Sequence, residues 1–117
     1  MNIFTRVAAS VQARYIIPHQ QSHFSRTKYG KQLALYKGKF TGKRCFLIGN
    51  GPSLRAEDLT RLREAGEITF AFNRIYSIFD QTPWRPNFYI SQDELMLAGC
   101  VDTVCGLKAD AKFIPIQ

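Results

Sequence analysis

The sequence has no long hydrophobic run and little cysteine, and its first 56 residues contain no acid. None of its apolar runs reaches the roughly 18 residues that a membrane-spanning helix needs. The 117 residues are 45% hydrophobic and 13% aromatic, which is typical of a chain with a packed core and argues against disorder. A chain of this length suits one globular domain.

Cysteine is too sparse to form a disulfide framework, because the three cysteines cannot all pair with one another. Cys100 and Cys105 have a C-x4-C spacing without a second Cys or His pair nearby, which does not fit a zinc site. Cys45 lies in an apolar strand pattern, where we expect it to be buried as a small hydrophobe. This use of cysteine favours a reducing compartment and predicts a cytoplasmic location.

Charge is distributed unevenly along the chain. Residues 1–56 contain ten Lys and Arg and no acid, whereas residues 57–117 contain six basic and nine acidic side chains. A basic arm before a mildly acidic globule predicts an anionic partner, which is a membrane surface, a nucleotide or a nucleic acid. Nucleic acid ranks last among these, because the basic residues are spread out without clustering or aromatic interleaving.

The basic arm carries weak helical patterns. Residues 1–17 place apolar side chains on one helical stripe, which either lies on a membrane or a partner or packs on its own domain. Residues 18–30 are predicted to be a polar linker, and residues 31–37 a short helix. We therefore expect a basic, partly helical N-terminal arm over residues 1–40, with peripheral membrane contact through residues 1–17 as one of its open functions.

From residue 41 onwards, short apolar runs alternate with helical patterns. The predicted strands and helices are, in chain order, strand 45–48, helix 56–65, strand 68–72, one or two helical turns within 73–80, strand 88–91, helix 94–106 and strand 112–116. This alternation predicts an α/β fold, a Rossmann-like open parallel sheet over residues 41–117. Such sheets usually carry five or six strands, so we expect the N-terminal part of a longer domain.

A glycine-rich turn, residues 49–53, follows the first predicted strand. Gly49 and Gly51 tolerate backbone angles that other residues resist, and they let a phosphate approach the main-chain amides. Ser53 suits either a helix cap or a phosphate oxygen, and the N-terminus of the next helix favours an anion. Two interpretations remain open, a phosphate site formed by Gly49, Asn50, Gly51 and Ser53 or a tight turn without a ligand. The third glycine of the Rossmann pattern is missing.

Polar residues also follow the second and third strands, at the edge where parallel sheets bind their ligands. Asn73 either binds a base or ribose or caps the short helix behind it, and Arg74 suits a phosphate. Asp93 either holds Mg²⁺ beside a phosphate, acts as a general base, or caps the helix that follows it.

Several of these blocks, in this order, carry a resemblance to a known family. A strand ends in Gly-Asn-Gly-Pro-Ser-Leu (45–54), the next in Asn-Arg-Ile-Tyr (69–76), and Trp-Arg-Pro (84–86) precedes a strand that ends in Asp (89–93). With the acidic helix between the first two, they resemble the 6-hydroxymethylpterin diphosphokinase-like family, whose bacterial members often belong to surface-glycan and flagellar-glycosylation systems. The glycine turn is also similar to that of bacterial sialyltransferases that use CMP-sialic acid.

The resemblance implies a Rossmann-like fold, a nucleotide phosphate near Asn50, Gly51 and Ser53, and contact between Asn73 and a nucleotide or sugar. It implies a transferase-type domain that binds a nucleotide or nucleotide-sugar in glycan synthesis or modification. The alternatives are a diphosphokinase that depends on Mg²⁺ and ATP, and a non-catalytic binding module that docks through the basic arm. In the sialyltransferase relatives the catalytic groups lie further along the chain, past residue 117, so activity of this chain alone stays open.

Overall fold

The computed structural model describes residues 17–115, with side chains from Ser22 onward. The chain divides into two compact units, Met1–Gly42 and Lys43–Gln117. The amphipathic stripe predicted over residues 1–17 lies outside the described residues except for Ile17. Between residues 17 and 115, no helix has the length and apolar character needed to cross a membrane.

The described part of the first unit contains two short helices, α1 (Ile17–Arg26) and α2 (Lys28–Ala34). Thr27 joins them and caps α2, since its hydroxyl oxygen accepts a hydrogen bond of 3.1 Å from the Gly30 amide. Gly30 is buried, and a Cβ atom there would overlap the carbonyl oxygen of Phe24. The prediction of a polar linker over residues 18–30 is therefore wrong. These polar residues form two helices, and the cap at Thr27 and the close contact at Gly30 join them at a corner.

The second unit is an α/β Rossmann-like open sheet, as predicted, with four parallel strands in the order β1-β2-β3-β4. Its elements are β1 (Cys45–Ile48), α3 (Ala56–Glu64), β2 (Ile68–Phe72), a 3₁₀ helix (Ile75–Gln81), β3 (Phe88–Ile90), α4 (Glu94–Ala98), α5 (Val101–Gly106) and β4 (Ala111–Phe113). The strand order does not reverse among these four strands. The switch point at which doubly wound sheets bind ligands is therefore not formed by them.

One face of the sheet carries the core. Ile48, Ala71 and Tyr89 share this face through the strand register, and none is more than 8% exposed. Leu59 of α3 and Trp84 pack in the same cluster, each 1% exposed. Right-handed crossovers between sequential parallel strands place every connection on the same side of the sheet, which accounts for a core on this face.

The opposite face is also apolar. The rings of Phe70 and Phe88 stack at 4.7 Å, and Phe113 continues the row at 6.2 Å from Phe88. The prediction that Cys45 is buried is wrong, since Cys45 is exposed, and Leu47 on the same face of β1 is 68% exposed. β1 is an edge strand, and its unbroken apolar run hides the two-residue alternation that places Leu47 away from the core.

The single helix predicted over residues 94–106 is wrong, because the chain forms α4 and α5 with a break between them. The amides of Gly99 and Cys100 donate to the Met96 and Leu97 carbonyls in tight turns, and Cys100 then leaves the helical conformation at φ −145°. The break limits α4 to five residues, Glu94–Ala98.

The helix α3 ends in a left-handed cap at Gly66. Gly66 has φ +65°, its amide donates to the Arg63 carbonyl at 3.0 Å, and the Glu67 amide donates to the Leu62 carbonyl at 3.0 Å. The Glu67 carboxylate then pairs with Arg44 ahead of β1, which lowers the pKa of Glu67. The cap thus directs the chain from α3 into β2.

We expect Gly66→Ala to lower the free energy of unfolding by about 1–2 kcal/mol, because a side chain at this left-handed position is strained. Urea denaturation followed by circular dichroism measures the change. Gly106→Ala is the matched control, since Gly106 lies outside the left-handed region with open space around it. Equal effects of the two substitutions would contradict the assigned cap.

Candidate functional site

The glycine-rich turn between β1 and α3 is open to solvent. The Leu54 amide donates to the Gly51 carbonyl at 3.1 Å, so Gly51 begins a tight turn. Gly49 and Gly51 do not have positive φ, so the prediction that the turn uses their unusual backbone angles is wrong. What the glycines provide is space. A Cβ on Gly49 would meet no atom within 4 Å, and one on Gly51 would meet only the Ser53 hydroxyl oxygen, at 3.9 Å.

The N-terminus of α3 follows this turn and has no side-chain cap. Ser53 does not cap the helix, because the N-cap residue is Arg55, whose side chain makes no capping bond. Arg55 instead pairs with Asp58 in the first turn at 3.1 Å and lowers the pKa of that carboxyl. Glu57 adds a second acid to the first turn. The first amides of α3 remain available to an anion, and Arg55 offsets one of the two nearby carboxylates.

Asn50 connects the ends of the first two strands. Its side-chain Nδ2 donates to the Phe72 carbonyl at 3.0 Å, which extends the pairing of β1 and β2 by one side-chain bond. This bond leaves the Oδ1 atom of Asn50 free to accept a hydrogen bond. Asn50 is exposed, so a ligand can reach that oxygen.

Asn73 is bound to β3 and does not cap the following helix. The N-cap of the 3₁₀ helix is Arg74, without a side-chain capping bond, so the capping interpretation of Asn73 is wrong. The Oδ1 atom of Asn73 accepts from the Ser91 hydroxyl at 3.2 Å, and its main-chain oxygen accepts from the Tyr89 hydroxyl at 2.7 Å. The Tyr89 phenol donates in its ordinary protonated form, and burial raises its pKa further above neutral pH.

Asp93 caps α4, which confirms one of the three roles predicted for it. Its Oδ1 atom accepts from the Met96 amide at 2.9 Å. The second carboxylate oxygen has no partner within residues 17–115 and is free to meet a ligand or a cation. No group of three His, Cys, Asp or Glu in that part of the chain is arranged to hold a metal ion. Magnesium at Asp93 would therefore need oxygen ligands from water and from a bound phosphate.

An open cleft of about 500 Å³ brings these polar groups together at the carboxyl ends of β1, β2 and β3. Its lining consists of Asn50, Asn73, Arg74, Asp93, Leu95 and Met96. Four of the predicted site residues thus share one cleft, whereas Gly49, Gly51 and Ser53 lie outside its lining. Sequence reasoning did not find the two apolar residues from α4. Leu95 is 90% exposed, and an apolar pair that begins two residues after Asp93 was their only signal.

Comparison of the chain with family models, with curated proteins and with solved structures gives no match.

We expect Gly49→Ala to leave the free energy of unfolding within about 0.5 kcal/mol of the wild type, because the added methyl group meets no protein atom. Urea denaturation measures it, with Gly30→Ala as the contrasting variant, in which the methyl group overlaps the Phe24 carbonyl. A large destabilisation by Gly49→Ala would mean that the space beside the turn is needed for packing rather than left open.

Proposed function

We propose that the Lys43–Gln117 unit binds the phosphate and the base or sugar of a nucleotide or nucleotide-sugar, as a transferase-type domain in glycan synthesis or modification. The observation that carries this proposal is the cleft, in which side chains from three strand ends present complementary groups. Asn50 offers an acceptor, Asn73 a donor, Arg74 a cation and Asp93 a carboxylate. These side chains lie at the carboxyl ends of the strands, the end of parallel α/β sheets at which ligands bind, although no switch point lies among these four strands.

Arg74 is the group best suited to phosphate. It is exposed, lines the cleft and makes no ion pair within residues 17–115, so its guanidinium remains available for a bidentate contact. The uncapped amides of α3 and the open turn at Gly49 and Gly51 supply main-chain donors next to Asn50. Asn50, Gly51 and Ser53 are proposed to hold the phosphate, with Asn73 and Arg74 orienting the nucleotide or sugar.

The proposal has two forms, which differ in whether Asp93 binds a metal ion. With Mg²⁺, its free carboxylate oxygen would bind a cation that bridges to phosphate, as the diphosphokinase-like resemblance implies. Without a metal, the same oxygen would accept a substrate hydroxyl group and could serve as a general base. Asp93→Asn keeps an oxygen for the Met96 amide and removes the charge, so it tests the ligand role without removing the helix cap.

A second candidate of another class, a module that docks on an anionic membrane surface, is supported by the first unit. Residues 17–42 contain five Lys and Arg and no acid. Four large apolar side chains are at least 40% exposed in the same segment, namely Phe24, Tyr29, Leu33 and Leu35. Basic and apolar groups exposed together are typical of surfaces that bind anionic lipid headgroups. The two candidates are compatible, since they use different units.

We expect at least one of CMP, UDP, GDP and ATP to raise the melting temperature of the full chain, because a ligand that binds only the folded state stabilises it. Each nucleotide is tested with and without Mg²⁺. Arg74→Gln should weaken the binding by roughly tenfold or more, the usual loss for a charged hydrogen bond. Isothermal titration calorimetry measures the dissociation constants.

Arg63→Gln is the matched control for charge, because Arg63 is an exposed arginine on α3 outside the cleft. Gly49→Ala should weaken binding while the protein stays folded. Absence of binding by every nucleotide would refute the proposal, and equal losses from the Arg74 and Arg63 variants would place the phosphate outside the cleft. Loss of Mg²⁺ dependence in Asp93→Asn would support the metal form.

We expect the full chain to float with phosphatidylglycerol vesicles and not with phosphatidylcholine vesicles. Lys37→Gln should lower the partition coefficient by roughly fivefold, because one basic residue near an anionic surface contributes about 1 kcal/mol. Lys108→Gln, which removes an exposed lysine from the other unit, is the control. Equal flotation with neutral vesicles, or equal loss in the two variants, would contradict docking through the basic segment.

A further inference from the structure

Asn73 has an unusual backbone for its position at the end of β2. Its φ of +50° is the only positive value at a non-glycine residue within residues 17–115. Asparagine enters this left-handed region more readily than most residues, but not without cost. A strained residue in a cleft persists when its surroundings hold it there, and it therefore points to the groups that do so.

Asn73 forms hydrogen bonds with three consecutive residues at the end of β3 and just after it. The Asn73 amide donates to the Ile90 carbonyl at 3.2 Å. The Tyr89 hydroxyl donates to the Asn73 carbonyl at 2.7 Å, and the Ser91 hydroxyl donates to the side-chain Oδ1 at 3.2 Å. Tyr89 is fully buried and Ser91 is 2% exposed, so both donors belong to the core. Every hydrogen-bonding group of Asn73 except its side-chain Nδ2 is therefore bound to β3 or to Ser91 directly after it.

The remaining hydrogen-bonding group of Asn73 is its side-chain Nδ2. Because Ser91 occupies the oxygen of the carboxamide, the two N–H donors of Nδ2 are left for a partner outside the described residues. Asn73 lines the cleft together with Asn50, whose own carboxamide is bound the opposite way, through its nitrogen to the Phe72 carbonyl. The two amides therefore present opposite polarity, a donor from Asn73 and an acceptor from Asn50.

We propose that Tyr89 and Ser91 are positioning residues, which hold the main chain and carboxamide of Asn73 so that Nδ2 donates to an acceptor on the bound nucleotide. This inference rests on the proposed function. Ser91 is anchored in turn, since its amide donates to the Phe113 carbonyl of β4 at 3.1 Å. The buried face of the sheet thereby sets the orientation of an exposed side chain.

The positioning is tested first without a ligand, by NMR of the full chain. In the wild type, a strong intraresidue NOE between the HN and Hα protons of Asn73 reports its positive φ, and its side-chain amide signals report the bond to Ser91. Tyr89→Phe should weaken this NOE, because it removes the donor to the Asn73 carbonyl. Ser91→Ala should shift the side-chain amide signals. Unchanged values in both variants would overturn the inference, whatever the protein binds.

A double-mutant cycle then connects the positioning to binding. Ser91→Ala should weaken the nucleotide that binds best by roughly three- to tenfold in the wild-type background. In an Asn73→Gly background, where glycine accepts the left-handed backbone, the same substitution should have no further effect. Independent losses that simply add would show that Ser91 acts on stability in general, and would refute its action through Asn73. Melting temperatures confirm that each variant is folded.

The outcomes separate this inference from the proposed function. A wild-type chain that binds no nucleotide would refute the proposed function, while the ligand-free NMR signals would still decide whether Tyr89 and Ser91 hold Asn73. Nucleotide binding that is unaffected by Ser91→Ala would leave the proposed function standing and overturn the positioning role.

Discussion

Parallel pairing of β1, β2 and β3 is the constraint on which the candidate site depends. The pairing brings the carboxyl ends of three strands together at one end of the sheet. Asn50, Asn73 and Asp93 therefore line one cleft, although they are 23 and 20 positions apart in the chain. Two hydrogen bonds continue the pairing past the strands themselves, one from the Asn50 side chain to the Phe72 carbonyl and one from the Asn73 amide to the Ile90 carbonyl. The site is thus an extension of the sheet.

Some polar groups of the site are buried and hold others in place, and the rest are exposed to solvent. Tyr89 and Ser91 are buried and donate to Asn73, while Asn73 and Arg74 are exposed. Buried donors in a low-dielectric core give strong and well-oriented hydrogen bonds, whereas exposed groups remain free to exchange water for a ligand. Asp93 combines both functions, since one of its oxygens caps α4 and the other is free.

Much of the fold was predictable from local patterns. The apolar run at Cys45–Ile48, the acidic first turn of α3 and the glycine at position 66 each predict their element from neighbouring residues alone. The helical corner at Thr27 and Gly30 was not predictable in the same way, because it depends on a close contact with the Phe24 carbonyl. The burial of Cys45 was mispredicted because a run of four apolar residues does not reveal that its strand lies at the edge of a sheet.

The sequence by itself determined the order of the four strands, the glycine turn and the polar residues at the strand ends, since periodicity and turn chemistry are local properties. Only the tertiary structure decided what those polar residues do. Asn73 and Asp93 each had a capping role open to them, and the structure gave that role to Asp93 and bound Asn73 to β3 instead. The reason is physical: a cap depends on the next few residues, whereas the partners of Asn73 come from a different strand that only folding brings near.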